Sequence, residues 1–133
     1  MRLPLRPALC LLVTLCLVGA GCKQRLNRES TVTVGPSEVQ AVIVDAPRAD
    51  QQVTATISSP GAPVSAYLVL EKNRLAAQDA LLSGKAPANV LGGKDKTEDA
   101  TVEGTVPAKE EVAVLVYNPG GKPAQVKVKI TGR

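Results

Sequence analysis

From Thr31 onward, apolar and polar residues exchange places at every second position, and this constrains the chain more than any other feature it has. Side chains along a strand point alternately to the two faces of its sheet, so a period of two gives one apolar face and one wet face. Thr31–Val34 opens the pattern and Gly35-Pro36 stops it. Gln51–Ser59 sets Val53, Ala55 and Ile57 against Thr54, Thr56 and Ser58, as expected of an antiparallel strand half in water. Asp99–Val106 and Ala124–Thr131 alternate in the same way, the latter with Gln125, Lys127 and Lys129 turned outward. Glu38–Asp45 is apolar on both parities and is expected to be covered on both faces; Val64–Leu70 sets Val64, Ala66, Leu68 and Leu70 against Tyr67 and Val69; Glu111–Tyr117 has no polar face and is expected to be central in a sheet. Pro-Gly and Asn-Pro-Gly-Gly clusters separate the runs. The fold class that follows is all-β: a small antiparallel β-sandwich of about seven strands.

One segment breaks the period. Glu71–Ser83 is rich in helix formers, with Leu75, Ala76, Asp79 and Leu82 at three- and four-residue spacing and Gly84 placed to end a helix. It predicts one inserted α-helix at about 71–83. Lys85–Thr97, with Pro87 and Gly92-Gly93, reads as a long loop. An insertion of this kind either carries function or covers an open end of the sandwich. The chain has no Phe and no Trp, and Tyr67 and Tyr117 are its only aromatic residues. The core must then be built from Val, Ala, Leu and Ile, which suit a pleated sheet but bury less area each than aromatics.

Residues 1–22 are of another kind. Arg2 and Arg6 precede an apolar run from Ala8 to Val18, interrupted only by Thr14, and Gly19-Ala20-Gly21-Cys22 follows. The run is shorter than the ~20 residues that span a bilayer and has the build of a secretory signal. The junction resembles the lipobox of bacterial lipoproteins, with Ala20, Gly21 and Cys22 matching and Gly19 standing where Leu is preferred. That resemblance implies cleavage between Gly21 and Cys22 and a lipid anchor on the Cys22 sulfur. It divides the chain into a signal peptide at 1–21, a lipidated tether at 22–30 and a sandwich domain at 31–133. Cys10 and Cys16 leave with the signal, so Cys22 is the one cysteine of the mature chain. Lys23, Arg25 and Arg28 follow it and would either lie beside anionic headgroups or form a solvated tether. Lys23 in place of Asp favours the outer membrane over the inner.

The last 30 or so residues, with Val106-Pro107-Ala108, a buried run, Asn118, a Gly turn and a closing strand, resemble the final hairpin of GOLD and pre-peptidase C-terminal sandwiches. The resemblance implies a fold and no functional residues. Histidine is absent, which removes the commonest general base and zinc ligand. No Walker, dinucleotide or Ser-x-x-Lys motif is present. Asp95, Glu98, Asp99 and Glu103 are the candidates for a Ca²⁺ site, with Lys94 and Lys96 opposing them. Glu110 and Glu111 are adjacent and would point to opposite faces of a strand. Taking Arg2 and Arg6 from the 16 basic residues leaves 14 against 12 acidic ones, too small an excess for nucleic acid. The expectation is a membrane-anchored, non-enzymatic envelope lipoprotein with no cofactor, serving either contact with an envelope protein partner or an envelope-structural role. The alternative is a small-ligand or Ca²⁺-binding module using residues 71–99.

Overall fold

A computed structural model describes residues 26–133. The signal segment, Gly21 and Cys22 lie outside the described residues. Within them, eight strands and one helix follow in the order β1 (Asn27–Val34), β2 (Val39–Val44), β3 (Gln51–Ser58), β4 (Val64–Leu70), α1 (Arg74–Leu82), β5 (Val90–Thr97), β6 (Asp99–Val106), β7 (Val112–Tyr117) and β8 (Ala124–Gly132). A 3₁₀ turn, Glu71–Asn73, leads into the helix.

The strands form two four-stranded sheets, ordered β1-β8-β3-β6 and β2-β7-β4-β5. Each neighbouring pair is antiparallel. The first strand pairs with the last, the second with the seventh, the third with the sixth and the fourth with the fifth, which is the wrapping of a jelly roll. An all-β sandwich with one short helix is thus the fold, as the alternation implied.

Between the sheets lies a core of small aliphatic side chains, among them Val34, Val53, Ile57, Val64, Leu68, Val114, Val126 and Ile130. A second, smaller cluster forms on the outer face of the β2-β7-β4-β5 sheet, where Ala77 and Leu81 of α1 pack on Tyr67, Val69, Ala113 and Leu115. This helix explains why β4 and β7 are apolar on both parities: one parity faces the other sheet and the other faces α1. Both strands are central in their sheet, as was expected for β7.

Several expectations need correction. The helix covers a sheet face and not an open end. The residues it buries are Ala77 and Leu81, while Leu75 and Leu82 are 67% and 57% exposed. In so short a helix, leucines fall on both sides, and spacing alone cannot say which side meets the sheet. Strand β2 is an edge strand whose Val42 and Val44 face the core, while on its other face Val39 and Ala41 are half-buried against the α1 cluster and Ile43 is exposed, so its outer face is covered only in part. Lysines 127 and 129, which on an edge strand would discourage strand addition, lie on the wet face of a central strand. Strand β1 begins at Asn27, four residues inside the segment read as tether.

The largest correction concerns the expected loop at 85–97, of which Val90–Thr97 is strand β5. Its sequence, VLGGKDKT, lacks alternation because it is an edge strand held by backbone pairing and not by a buried stripe. Its glycines are required by close approach. A Cβ on Gly93 would stand 2.3 Å from the Tyr67 ring, and one on Gly92 would stand 2.5 Å from the Glu103 carbonyl oxygen. Composition that signals a loop here signals a strand squeezed between two neighbours.

Candidate functional site

Alternation along β4 puts Ser65 and Tyr67 on the same face, and the ladder sets Ser65 opposite Tyr117 of β7. Both aromatic residues of the chain are thereby drawn to the sheet face that α1 covers. Tyr67 is buried at 7% exposure and Tyr117 is half-buried. Beside them, β5 departs from regular pairing. Val64 pairs with Thr97 and Ala66 with Lys94, so Asp95 and Lys96 together oppose the single residue Ser65. Such a bulge re-aims side chains. Lys96 sits in the left-handed region at φ 46°, and its N–H donates to Ser65 Oγ at 3.2 Å. The displaced Asp95 carboxylate accepts a hydrogen bond from the Tyr67 hydroxyl. A non-glycine residue in this conformation is uncommon and concentrates at functional positions.

The other wall is the end of α1. Gly84, at φ 73°, lets the helix close with Lys85 N–H donating to Ala80 O at 2.8 Å and Gly84 N–H to Leu81 O at 3.0 Å. The expected helix-ending role of Gly84 holds. This closure sets Lys85 at the mouth of a cleft of about 310 Å³. Its floor and walls are Tyr67, Tyr117, Leu81 and Pro119, and Ser65, Asp95, Lys85 and Lys96 supply the polar groups. An apolar floor with a few convergent donors and acceptors is the composition of a binding cleft.

The segment singled out in the sequence, 71–97, contributes Leu81, Gly84, Lys85, Ala86, Asp95 and Lys96 to this cleft. Ser65, Tyr67 and Tyr117 were not foreseen there. The available signal was that the only two aromatics of the chain fall in its two most apolar strands. The acidic candidates do not converge: Asp95 is engaged by Tyr67, Glu98 accepts from Gly61 N–H at 2.7 Å, and Asp99 and Glu103 are spread along β6. Among the described residues, no group of three or more His, Cys, Asp or Glu side chains is placed to hold a metal ion. Glu110 and Glu111 lie in the β6–β7 connection, where Glu110 meets Lys72 at 3.5 Å.

The family model of DUF5719, a family of unknown function, matches residues 10–133. The chain belongs to DUF5719. No curated protein matches it in sequence. Solved structures do resemble this DUF5719 chain in fold. The Yersinia pseudotuberculosis-derived mitogen is 11% identical with a TM-score of 0.56, over 80% of this chain and 85% of its own. The pre-peptidase C-terminal domain of a Bacillus anthracis collagenase is 8% identical with a TM-score of 0.57, over 79% of this chain and 89% of its own. Aeromonas hydrophila PliG, a periplasmic inhibitor of g-type lysozyme, is 12% identical with a TM-score of 0.51, over 85% of this chain and 90% of its own. At these identities the likeness is one of fold. The pre-peptidase resemblance read from the last hairpin thus extends to most of the DUF5719 sandwich.

Proposed function

We propose that this protein is an exported lipoprotein, anchored through acylated Cys22, whose sandwich binds a protein partner in the cell envelope and performs no chemistry of its own. The observation that carries the reading is the ordered leader, with basic residues, an apolar run and Gly21-Cys22, placed only five residues before the first strand at Asn27. The DUF5719 match begins inside that apolar run and passes through Cys22, which supports treating leader and sandwich as parts of one design. A sandwich of similar fold serves as a periplasmic lysozyme inhibitor in PliG, a precedent for protein binding by this architecture. Among the described residues no helix is long and apolar enough to cross a membrane. Lys23 directs the anchored form to the outer membrane.

The test is intact mass of the membrane-fraction protein. The mass of residues 22–133 plus acyl groups is expected, and Cys22→Ala is expected to lose them. An unmodified native chain overturns the anchor. A photo-crosslinker at Lys85 or Lys96 is expected to trap a defined envelope protein that one at Thr33 does not. Equal labelling from all three positions overturns the partner site.

A second reading, a small-ligand module, is favoured by the convergence of Tyr67 and Tyr117 on one cleft. Its calcium form has no converging ligand set among the described residues.

A further inference from the structure

The two sheets meet differently along their two sides. On one side β5 lies close against β6, with Gly92 against the Glu103 carbonyl and Gly104 against Leu91. On the other side β1 and β2 are the outer strands of their sheets, and the seam between them is bridged by Arg28, whose Nη1 donates to the Ile43 carbonyl at 2.6 Å. At the end where the chain enters the sandwich, this seam widens into a cleft of about 330 Å³. Leu26, Arg28, Asp45, Pro47 and Arg48 are among its lining residues.

Chain length fixes where that cleft can be. Leu26 is four residues beyond Cys22, and four extended residues reach at most ~14 Å. A lipid on Cys22 therefore holds the mouth of the seam within headgroup distance of the bilayer. We infer that this seam docks on the membrane surface and takes the phosphate groups of anionic lipids between Arg28 and Arg48. The inference rests on the lipidation of Cys22. Guanidinium groups present planar forks of N–H donors that match phosphate oxygens, and Arg28 has donors left after its bond to Ile43. Asp45 lies in the same cleft and opposes an anion. Against that single carboxylate stand Arg28 and Arg48, with Lys23 and Arg25 next to the anchor in sequence. Attraction of such groups to an anionic leaflet fades within a Debye length, so it acts only on residues a short tether keeps close.

The experiment uses mature protein already shown by mass to be acylated, which separates failure of the anchor from failure of the dock. Cys22 is blocked by its lipid, so one added cysteine takes one fluorophore. Ala49→Cys places it beside the seam, and Gly121→Cys places it in the β7–β8 turn at the opposite end. The protein is reconstituted in phosphatidylcholine vesicles with or without phosphatidylglycerol, carrying a headgroup-attached quencher. Quenching at position 49 is expected to exceed that at 121 several-fold in the anionic vesicles. Raised salt and Arg48→Gln should each reduce that contrast, and Arg28→Gln with Arg48→Gln should reduce it further. Arg48→Gln alone keeps the test valid if loss of the Arg28 bridge unfolds the seam. Equal quenching at both positions overturns the inference, as does a contrast indifferent to lipid charge or to Arg48. Loss of the contrast on adding inorganic phosphate at matched ionic strength overturns it too, and assigns the seam to soluble phosphate instead.

Discussion

Asn118 fastens the end of β1 to its own turn with one side chain. Its amide donates to Val34 O at 3.0 Å and to Lys122 O at 2.7 Å, and its carbonyl oxygen accepts from Gly120 N–H at 2.9 Å. The residue is 1% exposed, so water cannot replace these partners where they are buried. Asn118→Ala should cost about 1–3 kcal/mol, the range for stranded buried polar groups, measured by urea unfolding. A loss below about 0.5 kcal/mol would show that the turn relaxes to readmit solvent. The sequence marked Asn118-Pro119-Gly120-Gly121 as a turn, but not the bond to Val34, which lies 84 positions away. Local chemistry shows in local sequence; a long-range partner does not. The Glu29–Lys127 pair on β1 and β8, 2.8 Å apart, is of the opposite kind, open to solvent. The hydrogen bond from Lys127, then its charge, lowers the Glu29 pKa, and the same contacts raise that of Lys127. Its small contribution is present above the ordinary carboxylate pKa and is lost as pH falls through the depressed one. At the alkaline side it is present below the ordinary lysine pKa and lost as pH rises through the raised one. Glu29→Gln should therefore narrow the gap to the parent protein as acid unfolding proceeds, and high salt should erase the difference at neutral pH.

At the scale of elements, α1 poses a clear choice between two adjacent leucines. Leu81 is 4% exposed against β4 and β7, whereas Leu82 is 57% exposed. Leu81→Ala should cost about 2–3 kcal/mol through lost burial and the cavity left behind. Leu82→Ala should stay within about 0.5 kcal/mol. Comparable losses at both would mean that the helix packs on the face its spacing first implied. Strand β5 offers the complementary case of overpacking. Gly93→Ala drives a methyl into the Tyr67 ring, and the ring's hydroxyl holds Asp95, so the bulge at Asp95-Lys96 should loosen with it. With two tyrosines and no tryptophan, near-ultraviolet circular dichroism reports this directly, and an unchanged tyrosine signal would contradict it. Seven strands were legible, four because burial on one face writes a period of two into the chain and three because they are short apolar runs bounded by turn residues. Strand β5 was not, because its fit depends on what is missing from Gly92 and Gly93. The cleft was legible only by half: the segment 71–97 was visible as an insertion, but Tyr67 and Tyr117 look like core residues until the strands are paired.

At the scale of the whole molecule, the nested pairing of β1 with β8, β2 with β7 and β3 with β6 joins parts of the chain that are far apart in sequence. Alternation says which residues face inward but nothing of strand order, so this arrangement could not be read beforehand. It has a consequence for folding. Strand β8 is central in its sheet, flanked by β1 and β3, and supplies Ala124, Val126, Val128 and Ile130 to the core. Until it arrives, β1 has no ladder partner and β3 keeps only β6. Loop closure must be met before such distant contacts contribute, so folding should be slow for the chain's size and should wait for the last residues. If the chain is exported as proposed, that delay is useful, since a chain crosses a membrane more readily before it folds. The prediction is that a chain ending at Gly121 lacks a cooperative unfolding transition and a dispersed amide spectrum, although it retains both strands and helix of the α1 cluster. The full mature chain should show a single cooperative transition. If the truncated chain unfolds cooperatively, the β2-β7-β4-β5 sheet with α1 is a folding unit by itself, and the first sheet is then an addition to it and not a requirement for it.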